Sequence, residues 1–155
     1  MTDAAAIGAM EPAQDERTMA TLAHVLQVVG WWIAPLIIFL TKRESKFVSF
    51  HALQALLLQI AYMVVMGGFM VLWFSTIFLT IAHDANHSNA HPPAAFFLLF
   101  PLIWLGFMGI WIVMLVVAIV YGIKAGRGDW AEYPVLGPLA RRILKIGPGG
   151  VPLPT

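Results

Sequence analysis

Three long apolar stretches, separated by short polar segments, dominate the chain. Residues 22–41, 50–82 and 94–123 each carry no charged side chain. A helix rises about 1.5 Å per residue and a bilayer's hydrocarbon core is about 30 Å thick, so about 20 apolar residues cross it once. The pattern therefore predicts three transmembrane helices, at 22–41, 50–82 and 94–123. The second and third exceed what one crossing needs, so they must tilt, kink or project beyond the lipid. Splitting either into two crossings would take about 40 residues plus a turn. Pro35 and Pro101 fall inside the first and third spans and each predicts a kink. Gly67 and Gly68 mark a bend or a close-packing point in the second.

Past the third span, residues 138–146 (PLARRILKI) read as a short amphipathic helix, with Pro138 suited to its first turn. Leu139, Ile143 and Ile146 share a face, flanked by Arg141, Arg142 and Lys145, which suits the surface of an anionic bilayer. Residues 1–14 read as a mobile tail, 15–146 as the three-helix membrane domain, and 147–155 as a Pro/Gly-rich tail.

Composition agrees with this reading. The chain has 155 residues, 60% of them hydrophobic and 11% charged, where soluble domains carry roughly 25% charged residues. Asp84 is the single formal charge between Phe47 and Ile123. A small water-soluble domain cannot hide so much apolar surface, so soluble enzymes, nucleic-acid modules and disordered chains are excluded. The fold class is an all-α integral membrane protein with a long polar outer loop and a short cytoplasmic amphipathic helix. There is no cysteine, which removes disulfides, iron–sulfur clusters and thiolate chemistry. The N-terminus lacks the basic region of a signal peptide.

Charge placement sets the expected orientation. Lys42, Arg43 and Lys46 lie between the first two apolar stretches. Lys124, Arg127, Arg141, Arg142 and Lys145 follow the third. The connection 83–93 has no basic residue and the N-terminal segment has only Arg17. With three crossings, the positive-inside rule puts the C-terminus in the cytoplasm of a bacterial inner membrane and the N-terminus and connection 83–93 outside.

That connection holds the most pointed chemistry. His83, His87 and His91 recur at four-residue spacing beside Asp84, a set able to hold a divalent metal on the outer face. His83-Asp84-x-x-His87 echoes the zinc-protease pattern with a shorter acid, but Asn86, Ser88 and Asn89 favour turns over helix. The plainer reading is a polar loop capping two long helices. His24 belongs on the same outer side and His51 at the cytoplasmic end of the second span. That separation disfavours a haem held between them and leaves a haem or pigment shared with a partner subunit.

On the second span, His51, Gln54, Gln59 and Tyr62 make a polar stripe. Amides in lipid need partners, so the stripe serves as glue between helices or as a substrate path. No acid or base lies deep in a span to drive proton coupling. Ala118, Gly122 and Gly126 form a small-residue face for close helix contact. Trp104 and Trp111 share another face, and Trp31 and Trp32 lie mid-span, where large aromatics fill gaps between helices or against a partner.

The chain resembles a small bacterial membrane family of unknown function, itself similar to a chloroplast import component (Tic-twenty-like). Glu16-Arg17, Leu22-Ala23-His24, residues 35–40 (PLIIFL), Lys42-Arg43-Glu44-Ser45, His51, Gln54-Ala55, Gln59, residues 123–128 (IKAGRG) and Tyr133-Pro134 carry the resemblance. It implies a helical membrane fold and, for the plant relatives, a four-span channel component. The leading functional expectation is a non-enzymatic accessory or scaffold subunit packed against other membrane subunits or itself. The alternatives are a translocation or channel component and an outward-facing metal or redox-cofactor binder.

Overall fold

The computed structural model describes residues 11–85 and 94–151, and among these every regular element is a helix. Five α-helices follow in order: α1 Gln14–Gly30, α2 Ile33–Thr41, α3 Lys46–Ala85, α4 Ala94–Gly126 and α5 Leu136–Leu144. A single 3-10 turn, Pro148–Gly150, comes after α5.

Two helices, α3 and α4, are long and apolar enough to cross a membrane. Within their most apolar stretches only 11% and 6% of residues are buried, so these are not the core helices of a soluble protein. At about 1.5 Å per residue, α3 is about 60 Å long, twice the hydrocarbon thickness. Its first turns therefore have room to stand outside the lipid.

The expected first span, 22–41, is not one continuous helix, and three spans are not confirmed. Its residues form the end of α1 and all of α2, broken at Trp31 and Trp32. Trp31 has φ 50 and ψ −137, and Trp32 has φ −74 and ψ −18, the geometry of a type II′ turn. A Cβ on Gly30 would stand 2.8 Å from Cβ of Ala34, so the two helices meet where only glycine fits. Nine residues of α2 rise about 13 Å, too little to cross alone. Pro35 sits in α2's first turn, where its missing N–H leaves no helical bond unmade; it kinks no span. Pro101 lies within α4, which is assigned as one helix from Ala94 to Gly126.

The chain divides into two compact units. The first comprises residues 1–60 and 115–155, the second 61–114. In the second, α3 and α4 meet through rings: Phe69 and Phe107 at 6.0 Å and Trp73 and Phe100 at 5.8 Å between centroids. In the first, Phe50, Leu53, Ala140 and Ile146 make one core cluster, and Ala20, Phe47 and Ala125 another. Trp130 packs against both, edge-on to Phe47 and tilted against Phe50.

Helix ends are closed locally. The carboxylate of Glu16 accepts the Ala13 N–H at 2.9 Å, one half of a capping box. α4 ends in a Schellman motif: Asp129 N–H bonds the Lys124 carbonyl, Gly128 N–H bonds that of Ala125, and Gly128 has φ 86. α5 ends the same way, with Lys145 at φ 53 in the glycine position and Ile146 folded back into the core. This helix starts and stops two residues earlier than the sequence pattern predicts.

Candidate functional site

The first unit is built around a fully buried polar cluster. His24 and Gln27 come from α1, one turn apart on the same face. His51, Gln54 and Gln59 come from the opening turns of α3. Tyr133 and the carbonyls of Asp129 and Ala131 come from the segment after α4. His24, His51 and Gln54 have no exposed surface at all.

The hydrogen bonds form one connected clasp. His51 Nε2 lies 3.1 Å from the Asp129 carbonyl. A carbonyl only accepts, so His51 carries its proton on Nε2 and, when neutral, leaves Nδ1 as an acceptor. His24 Nε2, 2.9 Å away, then donates to that Nδ1. His24 Nδ1 in turn accepts the Tyr133 hydroxyl at 2.8 Å, and Gln27 Nε2 donates to the Tyr133 oxygen at 3.4 Å. One carbonyl thus fixes both tautomers and the direction of every donor in the chain. A proton added to His51 Nδ1 would reverse that order and bring the Tyr133 hydroxyl round towards Gln27. The Gln27 Oε1 atom is buried and has no partner within the described residues.

The two other amides lock the same elements. Gln54 accepts the Tyr133 N–H at 2.6 Å and donates to the Ala131 carbonyl at 3.2 Å, pairing with that segment as a neighbouring strand would. Gln59 donates to the Gln27 carbonyl at 2.7 Å. Burial pushes the Tyr133 phenol above its ordinary pKa, against the opposing hydrogen bond from Gln27, so the hydroxyl stays protonated.

His24 and His51 are thereby corrected from opposite membrane faces to direct contact. The physical reason is the break after Gly30, which leaves α1 lying beside the start of α3 and the end of α4. Gln27 and Tyr133 are the members that sequence reasoning passed over. Their available signal was the i, i+3 pair His24 and Gln27 in an otherwise apolar stretch, a polar face matching the stripe on α3.

The remaining candidate residues are placed as follows. Ala118 is buried. Cβ atoms on Gly122 and Gly126 would meet Val25 at 3.4 Å and the Thr21 hydroxyl at 3.1 Å. The Thr21 hydroxyl donates to the Gly122 carbonyl at 3.1 Å. The small-residue face of α4 is therefore occupied by α1 of the same chain. Arg141 turns inward, pairing with Glu132 at 2.5 Å and lying over the Phe50 ring. Arg142 and Lys145 are exposed. His83 lies in the last turns of α3. His87 and His91, and the side chain of Asp84, lie outside the described residues. Among the described residues no group of three or more His, Asp or Glu could hold a metal.

Fold and site together define a helical membrane protein with two candidate spans and a buried polar clasp that ties α1 to the start of α3 and to the segment that follows α4. Residues 15–140 match the sequence model of the MamF/MmsF family, the magnetosome magnetite crystal formation protein family. The chain belongs to that family. The resemblance to a chloroplast import component is corrected by this match: several of the residues that carried it, His24, His51, Gln54, Gln59 and Tyr133, are members of the clasp. No curated protein and no solved structure matches the chain.

Proposed function

We propose that this protein is a non-catalytic component of the magnetosome membrane that presents the His-rich connection 83–93 to growing magnetite. Iron is substrate in this reading, met by His83, Asp84, His87 and His91. Imidazole and carboxylate are suitable ligands for it.

The observation that carries the reading is the 2.9 Å contact between His24 and His51. It holds α1 beside the start of α3, which favours two crossings and a shared side for both termini. All nine Lys and Arg residues then belong to segments on that one side, the cytoplasmic side by the positive-inside rule. The connection between α3 and α4 is left on the opposite face. A magnetosome is a membrane-bounded magnetite crystal, so that face meets the mineral. The rest of the chain serves as accessory scaffold, with its exposed apolar surface available to lipid and to other subunits.

The test is replacement of the natural gene by a variant carrying His83→Ala, His87→Ala and His91→Ala in the organism that makes the crystals. With equal amounts of protein in the magnetosome membrane, electron microscopy should show smaller or misshapen crystals. Crystals of unchanged size and shape would contradict a role for the connection.

A further inference from the structure

We infer that the α1–α2 elbow is a re-entrant hairpin whose partner is the acyl chains of the basic-side leaflet: it enters that leaflet beside α3 and α4 and returns without crossing. The inference rests on the two-crossing reading and says where residues 22–41 go.

Chain direction is the first support. Thr21 lies against Gly126, Val25 against Gly122, His24 against His51, and Gln27 against Gln59. As α1 advances it moves up α3 and down α4, away from Lys46 and Lys124. From Val25, level with Gly122, to Trp31 is six residues, about 9 Å of helix. That depth lies within one leaflet, whose hydrocarbon is about 15 Å thick. α2 then leads back to Lys42 and Arg43, so both polar ends of the hairpin belong to one membrane surface.

Exposure is the second. Val25, Leu26, Val29, Trp31, Trp32, Ile33, Ile37 and Leu40 are all exposed, Val29 by 83% and Trp31 by 62%. So much exposed apolar surface on one hairpin marks a buried contact, and Gly122, which Val25 faces, has exposed Ile119 and Ile123 as its neighbours along α4. α2 is apolar along its whole length, which suits lipid better than water.

Backbone conformation is the third. Trp31 holds φ 50 at a turn position that normally selects glycine. A tryptophan occupies it, with its side chain exposed, although it strains the backbone. An indole that anchors in the upper acyl chains and headgroups accounts for that choice. Pro35 removes one of the N–H groups that the start of a helix leaves unpaired, and lipid has no acceptor for such a donor.

The chain has no cysteine, so single cysteines can be placed freely. Nitroxides at Val29, Ile33 and Ile37 of the full chain, in phosphatidylcholine–phosphatidylglycerol vesicles, are compared with labels at Leu72 on the exposed face of α3 and at Thr18. The expected result is oxygen relaxing the three elbow labels more than a water-soluble nickel chelate does, as at Leu72, with the order reversed at Thr18. Nickel relaxing the elbow labels as at Thr18 would overturn the inference, because the elbow would then lie in water. Shielding from both reagents would overturn it as well, since protein would cover the face. Sidedness keeps the underlying reading separate. Impermeant ascorbate should reduce labels at Thr18 and Glu44 from the same side of the vesicle, whereas opposite sides would mean a full crossing and would sink the two-crossing reading itself.

Discussion

A single hydroxyl holds the clasp at its centre. Tyr133 donates to His24 Nδ1 and accepts from Gln27, so Tyr133→Phe strands two buried polar atoms. Each unsatisfied buried group costs about 1–3 kcal/mol, and 1 kcal/mol corresponds to roughly 2–4 °C in Tm for a chain of this size. Thermal unfolding in mild detergent should show a clear drop for Tyr133→Phe. Tyr121→Phe should show a smaller one, because the Tyr121 hydroxyl donates to the Glu132 carbonyl at an exposed site. The same phenol sets a pH signature. Its pKa is raised on folding from an ordinary 10.0, so the protonated form is favoured in the folded state. That contribution is complete below the ordinary value and is lost as pH rises through it towards the folded one. The Tm gap between wild type and Tyr133→Phe should therefore shrink above pH 10, and a gap constant with pH would contradict the assignment. At this scale the sequence is half legible. His51, Gln54 and Gln59 stand out because amides are expensive in lipid. The groups that meet them come partly from backbone carbonyls, and carbonyls leave no mark in a sequence.

Helix identity is legible; helix interruption is not. Apolar runs locate α3 and α4 because length and lack of charge suffice for that. The break at Trp31 and Trp32 is hidden, since two tryptophans give no turn signal and Pro35 reads equally well as a kink or as a first turn. Only the clash that a Cβ on Gly30 would make with Ala34 reveals why the chain bends there. α5 shows a related effect. Its pattern is visible, but its end is set by a Schellman motif with Lys145 in the left-handed conformation, where an L side chain costs about 1–2 kcal/mol. Lys145→Gly should therefore stabilise the folded chain by about 1 kcal/mol, after the greater backbone freedom of glycine is set against it. Chemical unfolding in detergent checks this, and a loss of stability would mean that the lysine side chain makes a contact worth more than the strain.

Across the whole molecule, the number of crossings decides what the placement of charge means. Counted from apolar stretches alone, three crossings separate Arg17 from the other basic residues. Counted with the clasp, two crossings gather all nine on one side, a simpler distribution under the positive-inside rule. Hydropathy could not make this distinction, because a stretch broken into two helices and one continuous helix have the same composition. What separates them is the long-range pairing of His24 with His51 and Tyr133, more than a hundred residues apart in the last case. The most direct test of that arrangement uses single cysteines at Thr18, Ser88 and Arg142 in intact membrane vesicles, labelled with an impermeant maleimide before and after permeabilisation. The account predicts that Thr18 and Arg142 react from one side and Ser88 from the other; Thr18 reacting together with Ser88 would contradict it.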